Sequence, residues 1–495
     1  MTSEIRLTEA PAHLRHGSNV GQPVSRREGI LKVTGKAPYA ADHHPRGMLY
    51  AVVAGSSIAR GRVTFLDVAS AKRHPGVVDV MTPAHKPLLA EDPDAKTNPF
   101  MFRMELLQND AVRYANQPIA VVIAQTLEAA TEGAALLAPR YEEQPARIGL
   151  DADKSFVPPA VGVGHPAVVE RGDVEAGLAA AAKAIDTTYE TPAQYHNPME
   201  PHAVVAVWDG DKLSIDMPSQ GLAMARARIA GIFGIPPENI QIRSPFLGGG
   251  FGCKGLVSGP QVLGIMAARL VNRPVKLVLR REQMYGPVGH RSPTRQRLRV
   301  GTDEAGLLTA LEHHAKTVSS TFDDFFEPAA DASHTLYASP AIKTSHKAVR
   351  VDTGTPLFMR APGEATGSIA LESAIDEMAF ACGIDPLQFR IRNDAEVEPI
   401  SGKPFSSKAL RECYARGAER FGWSKRPLLP RQMRDDAGFL VGWGMGTATF
   451  PAVMFQANAR CAARRWHRRD GDGRPRHGTG RMDGTRANRG RRTRD

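Results

Sequence analysis

The chain has 495 residues, 42% hydrophobic and 23% charged, the balance of a soluble globular protein with room for two to four domains. No apolar run approaches membrane-spanning length, and the opening MTSEIRLTEAPAHLRHG has no hydrophobic stretch of the kind a secretory signal needs; Arg26-Arg27 lacks what should follow a twin-arginine pair. The formal charge of +11 suggests a nucleic acid or anionic membrane, but residues 460–495, with 13 Arg against four Asp, carry +9 of it; the other 459 residues are nearly neutral, which excludes a general basic surface.

Residues 1–27 read as a polar leader. From Glu28 to Glu143 the pattern predicts an α+β domain, with strands over Leu49–Ala54 and Gly76–Met81 and a short helix over Asp67–Arg73. Gln117–Ala124 is an apolar strand, Thr126 caps a helix through Ala138 that Pro139 ends, and a further strand lies near Tyr141. Residues 144–173 read as a linker rich in Pro, Gly and Val, and 174–459 as a larger mixed α+β domain. There, Ala203–Met217 predicts a hairpin turning at Asp209-Gly210. Ser219–Phe233 predicts a helix ended by Gly234, with Leu222, Ala225, Ile229 and Ile232 inward and Arg226 and Arg228 off that face. Glu238–Arg243 is the next strand, Ser258–Leu270 a helix capped by Ser258, and Pro274–Arg280 a strand again. Gly301–Ala315 gives a strand pair around an Asp303–Gly306 turn, and helices follow over Leu371–Ala381 and from Asp385.

Beyond Arg460 the composition changes abruptly. Residues 461–495 contain no Leu, Ile, Val, Phe, Tyr, Lys, Glu, Ser or Gln, so they cannot bury a core and are expected to be disordered. Three readings stand: a basic nucleic-acid arm, a natural disordered tail, or translation of a GC-rich message in a shifted frame.

The chemistry concentrates in Ser244–Gly255, SPFLGGGFGCKG. A loop so poor in side chains offers bare N–H groups to an anionic or oxo-bearing ligand, with Lys254 as the cation beside them. It also reads as a plain glycine-rich turn between strand and helix. A phosphate-binding Walker loop is excluded, because Lys254 is followed by glycine. Gly250, Gly252 and Gly255 spell G-x-G-x-x-G, which an NAD(P)-dependent dehydrogenase would use. Yet Ser244–Leu247 separate strand from glycines, and the acid expected about 20 residues on finds only Glu282. In YHNPMEPH, His196, Glu200 and His202 match no metal-ligand spacing, so they read as packed or hydrogen-bonded structural residues. Gln220 reads as a polar helix-start residue, and Arg360 as a surface ion-pair partner. Glu372 and Asp376, four apart, read as a solvated or structural helix face. The four cysteines (Cys253, Cys382, Cys413, Cys461) are too scattered for a disulfide framework, a zinc site or iron–sulfur ligation.

LGGGFGCK resembles the first cofactor-contacting segment of the molybdenum-binding (large) subunit in the xanthine dehydrogenase/aldehyde oxidase family. HNPMEP and TGTPLFMRAPGE are similar to further stretches of that subunit, and KVTGKAPYAAD, HPGVVDVMT and QPIAVVIAQTLEAA to its small α/β hammerhead domain. The resemblance covers about Glu28 to Ala459. It implies a hammerhead domain over 28–143, the first part of a molybdopterin-binding domain over 174–459, and a molybdenum–molybdopterin cofactor in a dinucleotide form. Gly248, Gly249, Gly250, Phe251 and Gly252 would contact that cofactor, as would Arg360 and Ala361, a guanidinium suiting a polyanionic pterin phosphate. Gln220 would hydrogen-bond an oxygen ligand of the metal, with no protein side chain ligating the metal directly. The 2Fe-2S and FAD centres would sit on two partner subunits of a heterotrimer. Purine-oxidising members carry an acid where this chain has Gly255 and an aromatic where it has Pro362. The implied activity is therefore oxidation of aldehydes to carboxylic acids with water-derived oxygen. In the family, a glutamate general base lies on a further domain beyond the point where this tail begins. The expectation is a truncated chain, inactive as it stands and weak in holding the cofactor. The implied location is cytoplasmic, or periplasmic through a partner bearing a twin-arginine signal.

Overall fold

The computed structural model describes residues 23, 25–90, 103–104 and 106–451, with the backbone of 461–464 and 467–470. After the short α1 (Gly29–Val33) come β1 (Leu49–Gly55), β2 (Gly61–Phe65), α2 (Val68–Arg73), β3 (Val77–Met81), β4 (Ala111–Val112), β5 (Pro118–Ala124), α3 (Leu127–Leu136) and β6 (Arg140–Glu143). The two helix starts are fixed where the sequence put them: Asp67 accepts from the Ser70 N–H and Thr126 from the Ala129 N–H. Then follow β7 (Val168–Arg171), α4 (Val174–Ala179), β8 (Lys183–Thr191), β9 (Ala203–Asp209), β10 (Lys212–Asp216), α5 (Leu222–Phe233), β11 (Ile240–Arg243), α6 (Gly259–Val271) and β12 (Val275–Val278). The last long elements are β13 (Thr294–Thr302), β14 (Leu308–Ser320), β15 (Ile342–Val351), α7 (Glu364–Ala381), α8 (Pro386–Arg392) and α9 (Leu410–Phe421).

Among the described residues the strands form three sheets and one isolated hairpin. The largest runs β11-β10-β9-β12-β1-β5-β3, a second runs β7-β15-β14-β13-β8, and β4-β2-β6 make the third. The sequence reading separates residues 28–143 from 174–459, yet β1 pairs in parallel with β12 from the second segment. The reason is apolar content: β5 is buried along its whole length and β1 along most of it, so both need neighbours at each edge and cover on each face. One core cluster accordingly joins Leu49 and Val121 to Val204, Ile215, Ile265 and Leu277. The expected linker also departs from a plain connection, since β7 within it pairs with β15.

Helix α5 ends at Gly234 in the left-handed region and buries Ala225, Ile229 and Ile232 as expected. Arg228, expected off the inner face, is buried instead. Of the tail, β16 (Cys461–Arg464) and β17 (His467–Asp470) pair antiparallel across a two-residue connection. That departs locally from expected disorder, because such a pair needs no core to form, though alone it is marginal. The readings of the leader and of the rest of 460–495 fall mostly outside the described residues.

Candidate cofactor-binding site

The glycine loop leaves β11, an edge strand, and delivers the chain to α6, whose start is closed by a Ser258–Gln261 capping box. Gln220, just ahead of α5, lies under the loop. Its Oε1 accepts from the N–H of Gly252 at 2.9 Å and of Lys254 at 3.3 Å, and its backbone N–H donates to the Lys254 carbonyl at 2.7 Å. The carbonyl end of this amide is thus spent on the loop. The glycines are needed for this packing. A Cβ on Gly250 would lie 2.4 Å from Gln220 Oε1, and one on Gly252, at φ +115°, would lie 2.0 Å from the Phe358 carbonyl oxygen. The loop therefore packs against Gln220 on one side and the Phe358–Arg360 segment on the other.

Lys254, expected beside the loop as a ligand-facing cation, points the other way. Its side chain is fully buried, and Nζ donates to the Glu200 carbonyl at 2.7 Å and to Glu200 Oε2 at 3.0 Å. Burial holds this ammonium below its usual range, and the Glu200 charge opposes that shift. Glu200 Oε2 also accepts from the Gly248 N–H at 2.8 Å, so the HNPMEPH stretch is pinned to the loop's underside. The two histidines of that stretch are structural, as expected. His196 Nε2 donates to the Phe358 carbonyl at 2.7 Å and His202 Nε2 to the Cys253 carbonyl at 3.0 Å. Burial pushes His202 down to about 3 and the Cys253 thiol up to about 12, so neither carries charge near neutrality.

These contacts occupy the Gly248, Gly252 and Lys254 N–H groups. Among the described residues, the consecutive N–H groups of Gly249, Gly250 and Phe251 make no hydrogen bond. Phe251, at φ +56°, is 43% exposed. The second segment joins here: the Arg360 N–H donates to the Phe251 carbonyl at 2.9 Å. The Arg360 side chain is exposed and has no hydrogen-bond or ion-pair partner among the described residues, so the surface ion pair expected of a lone arginine is not made. Ala361 follows at φ +61°, then Pro362, half-buried; Gly255 closes the loop by donating to the Gly252 carbonyl at 2.9 Å. Three amides unpaired among the described residues and a guanidinium on joined segments fit an anionic, oxygen-rich ligand.

Behind the loop lies a cavity of about 90 Å³, walled by Cys253, Leu256, Tyr114, Phe322, Asp323 and Leu357 among others. Burial pushes the Asp323 carboxyl up to about 6. The other carboxylates weighed in the sequence are structural. Glu372 is buried rather than solvated, accepting from Arg390 Nε at 2.8 Å, and Asp376 accepts from Arg390 Nη1 at 2.6 Å.

The dinucleotide fingerprint is not realised. The sheet carrying the loop is largely antiparallel, β11 lies at its edge, and Gly255 precedes α6 rather than opening it. A doubly wound parallel sheet, with the pyrophosphate at a helix N-terminus between inner strands, has no counterpart here. The reading of Glu200 as a hydrogen-bonded structural residue holds, through Lys254 and Gly248. Sequence reasoning misplaced Lys254 and missed Arg291; nothing in the pattern around Arg291 marks it.

Residues 34–145 match the aldehyde oxidase and xanthine dehydrogenase a/b hammerhead domain, and residues 160–394 the molybdopterin cofactor-binding domain. The chain is 38% identical over 446 residues to the aldehyde oxidoreductase molybdenum-binding subunit PaoC of Escherichia coli (strain K12), covering 89% of this chain and 59% of that one. It is similar in fold to the aldehyde oxidoreductase of Desulfovibrio gigas, with a TM-score of 0.72 and 22% identity over 84% of this chain and 48% of that one. For quinoline 2-oxidoreductase from Pseudomonas putida 86 the TM-score is 0.71 at 24% identity, over 82% and 55% of the two chains. The chain thus spans less than two thirds of each relative's length, and the two structures speak to fold alone. With both domain matches lying on the hammerhead and on the loop-bearing domain, the chain belongs to the molybdenum-binding subunits of the aldehyde oxidase/xanthine dehydrogenase family.

Proposed function

We propose that the chain holds a molybdenum–molybdopterin cofactor, in a dinucleotide form, within an aldehyde oxidoreductase. The observation that carries the reading is that, among the described residues, the amides of Gly249, Gly250 and Phe251 make no hydrogen bond and the exposed Arg360 guanidinium has no partner, on two segments tied by the Arg360–Phe251 backbone hydrogen bond. The backbone of Gly248–Gly252 and of Ala361 would line the cofactor, Arg360 would meet its phosphates, and Gln220 Nε2 would donate to an oxygen on the metal. When bound, that group supplies the two-electron chemistry that takes an aldehyde and water to a carboxylic acid.

The substrate reading rests on two small side chains. Gly255 presents no charge and Pro362 no aromatic ring, so neither selects a purine, and the name of the PaoC relative supports an aldehyde. The two electrons require acceptors, which we assign to an iron–sulfur subunit carrying 2Fe-2S and a subunit carrying FAD. Among the described residues no helix is long and apolar enough to cross a membrane. A cytoplasmic complex is the proposed setting, with export beside a partner bearing a twin-arginine signal as the alternative that fractionation decides.

Among the described residues the cradle is open: Phe251 is 43% exposed and Arg360 reaches solvent, so these residues would contact the cofactor from one side and would not exclude water. The 495-residue chain by itself is therefore proposed to bind the cofactor weakly and to oxidise no aldehyde. Molybdenum and pterin content of the purified chain, with aldehyde turnover against an artificial electron acceptor, tests this. Sub-stoichiometric molybdenum without turnover is expected; near-stoichiometric metal with turnover would overturn it. Binding of NAD(P) in place of the pterin would overturn the cofactor reading.

A further inference from the structure

The backbone that presents Arg360 is itself held from behind. Arg291 is buried, its side chain only 7% exposed. Its Nη1 donates to Gln194 Oε1 at 2.7 Å, and its Nη2 donates to the carbonyls of both Met359 and Arg360 at 2.5 Å. Three residues beyond Arg360, the Gly363 N–H donates at 2.8 Å to the fully buried Glu327, whose carboxylate lies 3.9 Å from Arg291 Nε. On the opposite side the Arg360 N–H is bonded to Phe251. Ala361, between these anchors, sits at φ +61°, a conformation a non-glycine residue adopts only where its surroundings impose it.

We infer that Arg291 is the positioning residue for Arg360, fixing through its fork to two successive carbonyls the direction in which the Arg360 guanidinium meets a polyanion. This rests on the reading of Arg360 proposed above. Arginine suits the task because a rigid planar fork serves three acceptors at once. Lysine would keep the charge facing Glu327 but could not hold two backbone carbonyls and Gln194 in one geometry. The buried fork touches no part of the exposed face, so its influence on a ligand must pass through the backbone of Met359–Ala361.

The test is a double-mutant cycle on the full chain. The molybdenum–pterin cofactor is titrated by equilibrium dialysis with molybdenum assayed in both compartments, and the melting temperature of cofactor-free protein is measured in parallel. R360A is expected to weaken binding about tenfold, the equivalent of one charge-assisted hydrogen bond. R291K is expected to weaken it by a similar factor, and the double variant R291K/R360A no more than R360A alone. If R291K does not fold, Q194A replaces it; losing the acceptor that orients the fork should weaken binding about threefold, again without adding to R360A. A purely structural Arg291 would lower the melting temperature and leave affinity unchanged, or its loss would add in full to that of R360A; either result overturns the inference. R360A binding as tightly as wild type, or wild type not binding, sinks instead the reading of the site on which it rests.

Discussion

Replacing Lys254 by methionine separates the two places this side chain could occupy. In the structure its ammonium is fully buried, donating to the Glu200 carbonyl at 2.7 Å and to the carboxylate at 3.0 Å. Methionine fills most of the same volume without charge. It leaves the Glu200 carboxylate, whose side chain is only 9% exposed, with the Gly248 N–H as its remaining donor. Removing one partner of a buried pair costs about 3–5 kcal/mol, most of it the penalty for the stranded charge. E200Q keeps an acceptor for Gly248 and should cost less, about 1–3 kcal/mol. The double variant K254M/E200Q should fall short of the sum by about 2 kcal/mol, because no buried charge then remains unpaired. Urea denaturation at pH 7 measures all four corners. Had Lys254 faced a ligand at the surface, K254M would stay within about 0.5 kcal/mol of wild type and act on binding instead. That pattern would refute the buried assignment.

Two further outcomes follow from the same contacts. G252A forces a Cβ to within 2.0 Å of the Phe358 carbonyl at φ +115°, straining the backbone and parting Gly252 from Gln220 and Arg360 from Phe251. A loss of about 3–4 kcal/mol is expected, from about 1–2 for the left-handed alanine and about 1 for each hydrogen bond. G417A in α9, where an added Cβ meets nothing within 4 Å, is the control and should be neutral or slightly stabilising; equal melting temperatures for the two would refute the tight fit. Glu327 gives a pH test, since burial pushes its carboxyl up to about 7, against an opposing pull from Arg291. The unfolded carboxyl ionises above its ordinary 4.5 while the folded one stays protonated to about 7, so this group withdraws stability as pH rises through that window and nothing more above it. E327Q, which keeps an acceptor for Gly363, should therefore gain on wild type by about 3 kcal/mol between pH 4.5 and 7.5; a constant difference across that range would refute the buried, raised carboxyl.

Local grammar was legible. Asp67, Thr126 and Ser258 cap the helices predicted from them, Gly234 ends α5, and the Asp209-Gly210 hairpin forms. These features depend on neighbours within a few residues, which is what a sequence pattern encodes. Partnerships across the chain were not legible. The parallel pairing of β1 with β12 joins Leu49 to Val275, and the Arg291 fork reaches residues 68 and 69 positions away; no spacing announces either. Arg228 shows the same limit, since its burial depends on what packs beside α5 rather than on helical periodicity.

The glycine loop shows why motif reading alone stops short of a site. Two physical demands produce glycine: close approach of a ligand to the backbone, and close approach of the protein to itself. Gly250 and Gly252 answer the second, since any side chain there would strike Gln220 or Phe358. Lys254 follows the same logic, a cation at the end of LGGGFGCK that serves the underside of the loop. What the proposed reading leaves for a ligand is smaller than the motif: three adjacent amides with no hydrogen bond among the described residues, and an exposed arginine whose backbone is bonded to Phe251. Both segments keep this shape through contacts made inside the chain, so on the proposed reading the loop is ordered before a ligand arrives, and binding need not repay that ordering.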